Sequence, residues 1–266
     1  MNKLFGFYRA NKGKGAGFQA VGGDEPTLMV YDVIVSSEAD AEWLGGAPAD
    51  AFVRALRGMT AQRVHVRINS PGGDAFAGVA MANAIRAYPG EVIVHVDGYA
   101  ASAASFLVAA AERVIMGAGA MVMVHKAWTI AMGNSDGLMQ QAGVLEKLDG
   151  EQAAMFRAKS PDYDWESALA AETWFTADEA IAIGLASEKA EMTSKPKAMA
   201  FDLSAFEKPP VVASEKITVT TTVIVESDDE EQDMPESDEP IAPTDDDVLQ
   251  IERRKRVARL AALRVA

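Results

Sequence analysis

Two side chains of this sequence could together perform nucleophilic catalysis, a serine and a histidine. The 266 residues contain no cysteine, so a thiol nucleophile and a zinc site built on thiolates are excluded. Ser102 and Ser105 lie where a strand is expected to turn into a helix, and such an elbow exposes a hydroxyl at the positive end of a helix dipole. Glycine and alanine surround Ser102 and leave room for a substrate backbone. The same pattern also suits a serine that only caps or packs a buried helix.

A serine nucleophile needs a general base, and the chain has three histidines. His65 and His95 each lie inside a predicted strand, before its carboxyl end, whereas His125 ends one. A side chain at the carboxyl end of a strand can reach the elbow, because the ligand sites of parallel sheets form there. Position therefore favours His125. An isolated histidine more often has no catalytic role, so this assignment depends on the serine.

Backbone N–H groups that could stabilise a developing negative charge are expected at a glycine turn, Pro71-Gly72-Gly73. Glycine presents its amide without obstruction by a side chain. Such a sequence is usually only a turn, but here it leads into a helix one βα unit before the serine. The amides of Gly73 and Ala103 are therefore the predicted oxyanion hole.

These residues are positioned by predicted strands that alternate with helices. The strands are expected at 28–35, 63–68, 91–96, 113–116 and 121–125, with a last small one near residue 185. The helices are expected at 49–59, 74–88, 100–111, 135–159 and 177–183. Gly98 is expected to end the third strand. This order predicts βαβ units with right-handed crossovers, a mostly parallel sheet, and ligand binding where strand ends turn into helices.

Composition suits a single α/β domain with tails, since 49% of the residues are hydrophobic. The formal charge of −14 arises mostly from residues 226–247, which hold twelve acidic and no basic residues. The remainder is nearly neutral and gives no support to a nucleic-acid surface. The segment 1–20 has no long apolar run, so we expect neither a signal peptide nor a membrane anchor, and a cytoplasmic location.

Three segments together resemble the signature blocks of the Clp-type peptidases. They are Ile68-Asn-Ser-Pro-Gly-Gly73, Gly98-Tyr-Ala-Ala-Ser102 and Met123-Val-His125, and their order and spacing also match. A fourth segment, 172–185, is similar to the part of that family that carries the acidic member of the catalytic triad. The resemblance covers roughly residues 28–188.

The resemblance implies a serine endopeptidase with the crotonase-like, ClpP-like βαβ spiral. Ser102 would attack the scissile carbonyl of a protein or peptide substrate, and His125 would accept and then donate the proton. The amides of Gly73 and Ala103 would hold the tetrahedral oxyanion. No cofactor and no metal are expected.

The third member of the triad is predicted to be Glu172. The family usually has aspartate at this position, which is one methylene shorter, although a glutamate can orient a base histidine in other hydrolases. Asp162, Asp164 and Asp178 remain substitutes.

The resemblance also implies a homo-oligomeric ring, because the family uses the helix at 135–159 to join stacked rings. A long amphipathic helix by itself more often only covers a core. The N-terminal segment 1–23 does not match the loops that dock an ATP-driven unfoldase, and that partner is not predicted.

The expected domain organisation is one enzyme domain with four appended segments: a flexible basic arm (1–26), the ClpP-like peptidase domain (27–194), a linker with a β-prone strip (195–225), a disordered acidic segment (226–247) and a basic C-terminal helix (248–266).

A peptidase with such a charged extension resembles the head maturation proteases of tailed phages and prophages. That role predicts cleavage of capsid shell or scaffold proteins, inside the procapsid or in the host cytoplasm. The tail would serve as a scaffold-like or capsid-docking segment whose basic helix binds an acidic partner, and self-cleavage would remove it. A tail that only aids solubility is the alternative.

Two other functions remain open. A signal-peptide-peptidase-like enzyme has a similar glycine turn and serine elbow but uses a lysine base, and Lys126 follows His125. A non-proteolytic acyl-CoA-binding protein of the crotonase fold would use the Gly73 turn to polarise a thioester. Ser102 at the elbow argues against this second alternative.

Overall fold

A computed structural model of the chain describes residues 3–190 and 201–210. Within them the strands are β1 Gly17–Val21, β2 Thr27–Tyr31, β3 Ile34–Val35, β4 Ala47–Pro48, β5 Arg63–Ser70, β6 Glu91–Ala101, β7 Arg113–Met116, β8 Met121–Val124, β9 Thr173–Thr176 and β10 Glu188–Lys189. The α-helices are α1 Lys3–Asn11, α2 Glu38–Leu44, α3 Ala49–Gly58, α4 Ala75–Arg86, α5 Ser105–Ala110, α6 Ser135–Lys159, α7 Trp165–Ala171 and α8 Ala177–Ala182. A short 3₁₀ helix, Ser102–Ala104, joins β6 to α5.

The main sheet has the strand order β1-β2-β5-β6-β7-β10, and β8 pairs with both β6 and β9. The pairs β1–β2 and β8–β9 are antiparallel. The pairs β2–β5, β5–β6, β6–β7, β6–β8 and β7–β10 are parallel. The predicted α/β fold with a mostly parallel sheet is therefore confirmed.

One face of this sheet is apolar and packs against helices. In β5, Val64, Val66 and Ile68 are fully buried, whereas His65 and Arg67 between them are only partly buried. This alternation follows from the two-residue period of a strand. The buried strand residues join apolar residues of α3, α4, α5 and α6 in one core. The carboxyl ends of the strands are fixed by this core, and the candidate site residues lie at those ends.

The prediction that Gly98 ends a strand is wrong, because β6 continues to Ala101. At this glycine β6 exchanges β7 for β8 as its partner. Glycine inside a strand often marks a bend or a close approach, and a Cβ atom at Gly98 would lie 2.5 Å from Oδ1 of Asn69. The elbow therefore lies at Ser102, and the helix expected to begin at residue 100 begins at Ser105.

The segment predicted as a flexible arm, 1–26, contains α1 and β1, and β1 extends the sheet by pairing with β2. Phe7 of α1 is 5% exposed, and its ring packs edge-on against Phe206 with centroids 6.1 Å apart. The prediction is wrong for these elements because the aromatic side chains of α1 find an apolar surface in a distant part of the sequence.

Residues 201–208, here called the 201–208 segment, pack on the domain although the sequence predicts a linker there. Phe201, Leu203, Ala205 and Phe206 are buried in an apolar cluster with Phe7. Asn11 fastens the segment to α1. Its Nδ2 donates to the carbonyl oxygen of Asp202 at 3.0 Å, and its Oδ1 accepts from the N–H of Asp202 at 2.6 Å. The domain therefore extends beyond the predicted boundary at residue 194.

The remaining C-terminal predictions lie outside the described residues. They are the β-prone strip at 217–225, the acidic segment at 226–247 and the basic helix at 248–266.

Candidate active site

Ser102 occupies a sharp turn between the end of β6 and the 3₁₀ helix. Its φ angle is 52°, in the left-handed region that non-glycine residues rarely adopt, and such outliers concentrate at functional sites. The Ser105 hydroxyl donates to the carbonyl oxygen of Ser102 at 2.5 Å, and Ser105 is fully buried. The structure therefore gives the two candidate serines different environments, with only Ser102 bordering a cavity.

His125 directly follows β8, and its Nε2 lies 2.8 Å from the Oγ of Ser102. The chain beyond it is fixed by two main-chain donors. The N–H of Lys126 donates to the carbonyl oxygen of Leu169 at 3.1 Å, and the N–H of Ala127 donates to Oδ1 of Asp149 at 2.7 Å. The Lys126 side chain is exposed. The structure thus brings together the serine and histidine selected from the sequence.

His65 and His95 lie apart from this pair and contact each other. Nδ1 of His65 is 2.8 Å from Nε2 of His95. Both extend from the middle of paired strands, on the face opposite the apolar core, as strand alternation requires.

Burial lowers the pKa of His125 to about 4, because the charged imidazolium loses solvation in its apolar surroundings. The carboxylate of Glu172 opposes this effect and raises the pKa, and Lys3 lowers it further. The imidazole is therefore neutral at pH 7, which is the form that can accept a proton from a hydroxyl.

The glycine turn packs directly against the serine elbow. A Cβ atom at Gly72 would lie 2.7 Å from the Cβ of Ser102 and 3.0 Å from the N of Ala103. Gly73 has a φ angle of 149°, and a Cβ there would lie 2.1 Å from the carbonyl oxygen of Ile34. Only glycine fits either position. The amides predicted to form an oxyanion hole therefore lie in two segments in direct contact.

Ile34 orients this turn through a short parallel bridge to Gly73. Its N–H donates to the carbonyl oxygen of Gly72 at 2.7 Å, and its carbonyl accepts from the N–H of Asp74 at 3.0 Å. These bonds flank Gly73, so the bridge does not use the amide of Gly73 itself. Asp74 then caps α4 by accepting from the N–H of Ala77 at 2.8 Å.

Glu172 is 8% exposed and has a φ angle of 49°. Its carboxylate accepts from the main-chain N–H of Glu207 at 2.9 Å and of Lys208 at 2.5 Å. Among the hydrogen bonds of the described residues, none joins Glu172 to His125. Its effect on the base is therefore electrostatic in this arrangement.

The predicted substitutes for Glu172 lie elsewhere and are exposed. Asp178 pairs with Lys189 at 2.5 Å. Asp164 caps α7 by accepting from the N–H of Ser167 at 3.0 Å. Asp162 is exposed in the loop before α7.

Phe206 is a site residue that the sequence reasoning missed. Its ring packs edge-on against the imidazole of His125, with centroids 5.5 Å apart, and against Trp174 at 6.0 Å. The apolar residues of Phe201-Asp-Leu-Ser-Ala-Phe206 were the available signal, since a solvated linker does not need them.

Ser102 and His125 border a cavity of about 210 Å³. The side chains that complete it come from α1, from the start of α4, from the loop after His125, from one face of α6 and from the 201–208 segment. Its walls are mostly apolar, which suits a substrate side chain.

The described residues contain no group of three or more His, Asp or Glu side chains arranged to hold a metal ion. In the same part of the chain, no helix combines the length and hydropathy needed to cross a membrane.

Comparisons with known proteins agree with one another. The family model for Clp protease matches residues 52–192. The ATP-dependent Clp protease proteolytic subunit 3 of Rhodococcus jostii (strain RHA1) is 30% identical over 123 residues, which span 44% of this chain and 60% of that relative. A point mutant of ClpP1 from Listeria monocytogenes superposes with a TM-score of 0.52 at 18% identity, over 62% of this chain and 91% of that one. At this identity the structural likeness establishes a shared ClpP-like fold.

Proposed function

The chain belongs to the Clp protease family, and from that premise we propose that it is a serine endopeptidase with Ser102 as its nucleophile. The observation that carries the proposal is the 2.8 Å separation between the Oγ of Ser102 and Nε2 of His125. A nucleophile and its base must lie within hydrogen-bond reach. The strained backbone of Ser102 and the adjacent glycine turn supply the rest of an acyl-transfer site.

In the proposed reaction the neutral imidazole of His125 accepts the hydroxyl proton as Oγ attacks the scissile carbonyl carbon. The carbonyl oxygen becomes an oxyanion, which the N–H groups of Gly73 and Ala103 stabilise. The tetrahedral intermediate collapses, the C–N bond breaks, and His125 gives its proton to the leaving amine. Water then attacks the acyl-enzyme carbonyl while His125 accepts one of its protons. The ester bond breaks, His125 returns the proton to Oγ of Ser102, and the acid is released.

Glu172 is proposed to assist His125 electrostatically. A carboxylate near the imidazole favours the imidazolium that forms when Ser102 loses its proton, and Glu172 raises the pKa of His125. Two main-chain N–H donors hold this carboxylate in place.

A serine–lysine mechanism is the second candidate for this site. Lys126 follows His125, but its side chain is exposed, and the only hydrogen bond of the Ser102 hydroxyl within the described residues is to His125. These observations favour the histidine. Failure of an active-site serine probe to react would instead favour the acyl-CoA-binding alternative.

The direct test is hydrolysis of a quenched-fluorescence peptide library by the purified full chain, by Ser102→Ala and by Ser105→Ala. We expect Ser102→Ala to abolish turnover with the fold retained by circular dichroism. Ser105→Ala should remain active, because that hydroxyl only donates to a carbonyl oxygen. Equal activity of the native protein and Ser102→Ala would refute the proposal.

The specific role proposed is maturation of a phage or prophage capsid by a homo-oligomeric ring. The charged region beyond the family match, residues 226–247 and the basic stretch after it, supports this role because housekeeping peptidases do not need it. Exposed apolar residues on α6 support assembly, since Leu138, Met139 and Val144 are 43%, 65% and 42% exposed.

Incubation of the native protein and of Ser102→Ala with candidate capsid shell and scaffold proteins tests this role. Mass spectrometry would map cleavage of those proteins and of the C-terminal segment. Intact shell and scaffold proteins beside an enzyme that cleaves peptides would exclude it.

A further inference from the structure

One face of α6 forms a wall of the cavity beside Ser102. Gln141, Leu145, Leu148 and Gln152 recur at intervals of three or four residues, Val144 lies beside them, and all five border the cavity. Exposure falls along this face, from 42% at Val144 to 9% at Leu148 and 4% at Gln152. Gln152 therefore lies at the deep end of the wall.

The carboxamide of Gln152 has no hydrogen-bond partner among the described residues. The other buried residues at this end of α6 are apolar, among them Ala153, Met155 and Phe156. Neither polar atom of this carboxamide is among the fully enclosed, unpartnered side-chain atoms of the described residues, which are Nε2 of His65 and Nε1 of Trp174, so the amide keeps an opening to the cavity that it lines. A polar group that enters the cavity would satisfy the amide.

No lysine or arginine is among the described residues that line the cavity. The one carboxylate among them already accepts two hydrogen bonds. That carboxylate, Asp74, accepts from the N–H of Ala77 at 2.8 Å and from the hydroxyl of Ser36 at 3.0 Å. The polar group offered to a ligand at the deep end is thus neutral, and it contains both a donor and an acceptor.

We propose that Gln152 determines specificity by hydrogen-bonding the substrate side chain that precedes the scissile bond, and that it selects a carboxamide there. This inference rests on the proposed peptidase function. Glutamine is the matching side chain, because two carboxamides can each donate to and accept from the other. Methionine has a similar length and shape but neither donates nor accepts strongly, so it would leave the Gln152 amide unsatisfied.

The test compares peptides that differ only in the residue before the scissile bond, glutamine, methionine or glutamate. We expect the native enzyme to favour glutamine over methionine in kcat/KM by about 10- to 100-fold, the range expected when a single buried polar group is left without its hydrogen-bond partner. Gln152→Met should reverse this preference. Gln140→Met, an exposed residue of the same helix, should leave it unchanged.

The unfolding temperature of the Gln152 variant distinguishes a role of Gln152 in substrate recognition from a structural role. We expect Gln152→Met to unfold at the same or a higher temperature, since the substitution removes no hydrogen bond between described residues and places an apolar side chain beside the buried Met155 and Phe156. A lower unfolding temperature, together with equal losses on all three peptides, would overturn the inference.

Binding separates this inference from the proposed function. Peptide affinity is measured on Ser102→Ala and on Ser102→Ala with Gln152→Met, so that no turnover is required. Tighter binding of the glutamine peptide that disappears in the double variant supports the inference even if the native chain hydrolyses nothing. Equal affinity for the glutamine and methionine peptides overturns it even if hydrolysis is robust.

Discussion

The nucleophile–base pair and the acidic residue Glu172 are positioned in different ways. Ser102 directly follows β6, and His125 directly follows β8. The two residues are neighbours because Ala101 of β6 pairs with Met123 of β8. Their 2.8 Å contact is thus a consequence of sheet register. The carboxylate of Glu172 is instead held by main-chain donors 35 and 36 residues later in the sequence.

The positions of the pair and of the acid therefore depend on different parts of the structure. Sheet hydrogen bonds and a buried core fix the pair, so its geometry should tolerate changes at the periphery. The acid depends on the 201–208 segment, which is held by an apolar cluster and by Asn11. Changes in that segment should alter the strength of the base more than its position.

The largest effect is expected within the pair itself. His125→Gln removes the base, and we expect kcat to fall on the order of 10⁴- to 10⁶-fold, because residues of a triad act as a unit. Lys126→Gln is the matched control and should retain activity in steady-state hydrolysis. Full activity of His125→Gln with loss in Lys126→Gln would establish the lysine mechanism instead.

The next largest effect is expected at the glycine turn. Gly73→Ala places a Cβ against Ile34 and displaces one oxyanion donor, which costs about 10²- to 10³-fold in kcat. Gly119→Ala is the control, since Gly119 has a φ angle of 75° but no atom within 4 Å of the added Cβ. A Gly73→Ala enzyme with native kcat would remove this turn from the mechanism.

A smaller loss is expected at the acid. Glu172→Gln removes the charge that favours the imidazolium of His125. We expect kcat to fall by about 10- to 100-fold, which is the effect of about one or two units of pKa at about 1.4 kcal/mol each. Asp178→Asn should have no measurable effect in the same assay. A loss as large as that of His125→Gln would show that Glu172 bonds directly to the base during turnover.

The smallest effect on catalysis is expected where Asn11 holds the 201–208 segment, and the change there should appear mainly in stability. Asn11→Ala leaves the main-chain groups of Asp202 without their partner, and we expect the free energy of unfolding to fall by about 1–3 kcal/mol. Chemical denaturation measures this, with Asn83→Ala at an exposed helical position as the control. An unchanged unfolding midpoint would mean that the segment is not held through Asn11.

The parts of the molecule that were predictable are those governed by local pattern. Alternation in Arg63–Ile68 and the end of a strand at His125 specify a parallel sheet and the edge where ligands bind. The position of Glu172 was not predictable, because its partners are main-chain groups that carry no sequence signal. β9 was missed because four residues are too few to show a period. Residues 3–21 and the 201–208 segment were missed because each is ordered by contacts with distant residues.

The central claim is that Ser102 is activated by a neutral His125, and the pH dependence of labelling by a fluorophosphonate tests it most directly. Labelling requires the unprotonated imidazole, so its rate should fall as pH falls through the pKa of His125, which burial lowers to about 4. We predict a single modified residue, Ser102, and a labelling rate that stays constant from pH 7 to about pH 5. Modification of another residue, or a rate that already declines near pH 6.5, would contradict the account.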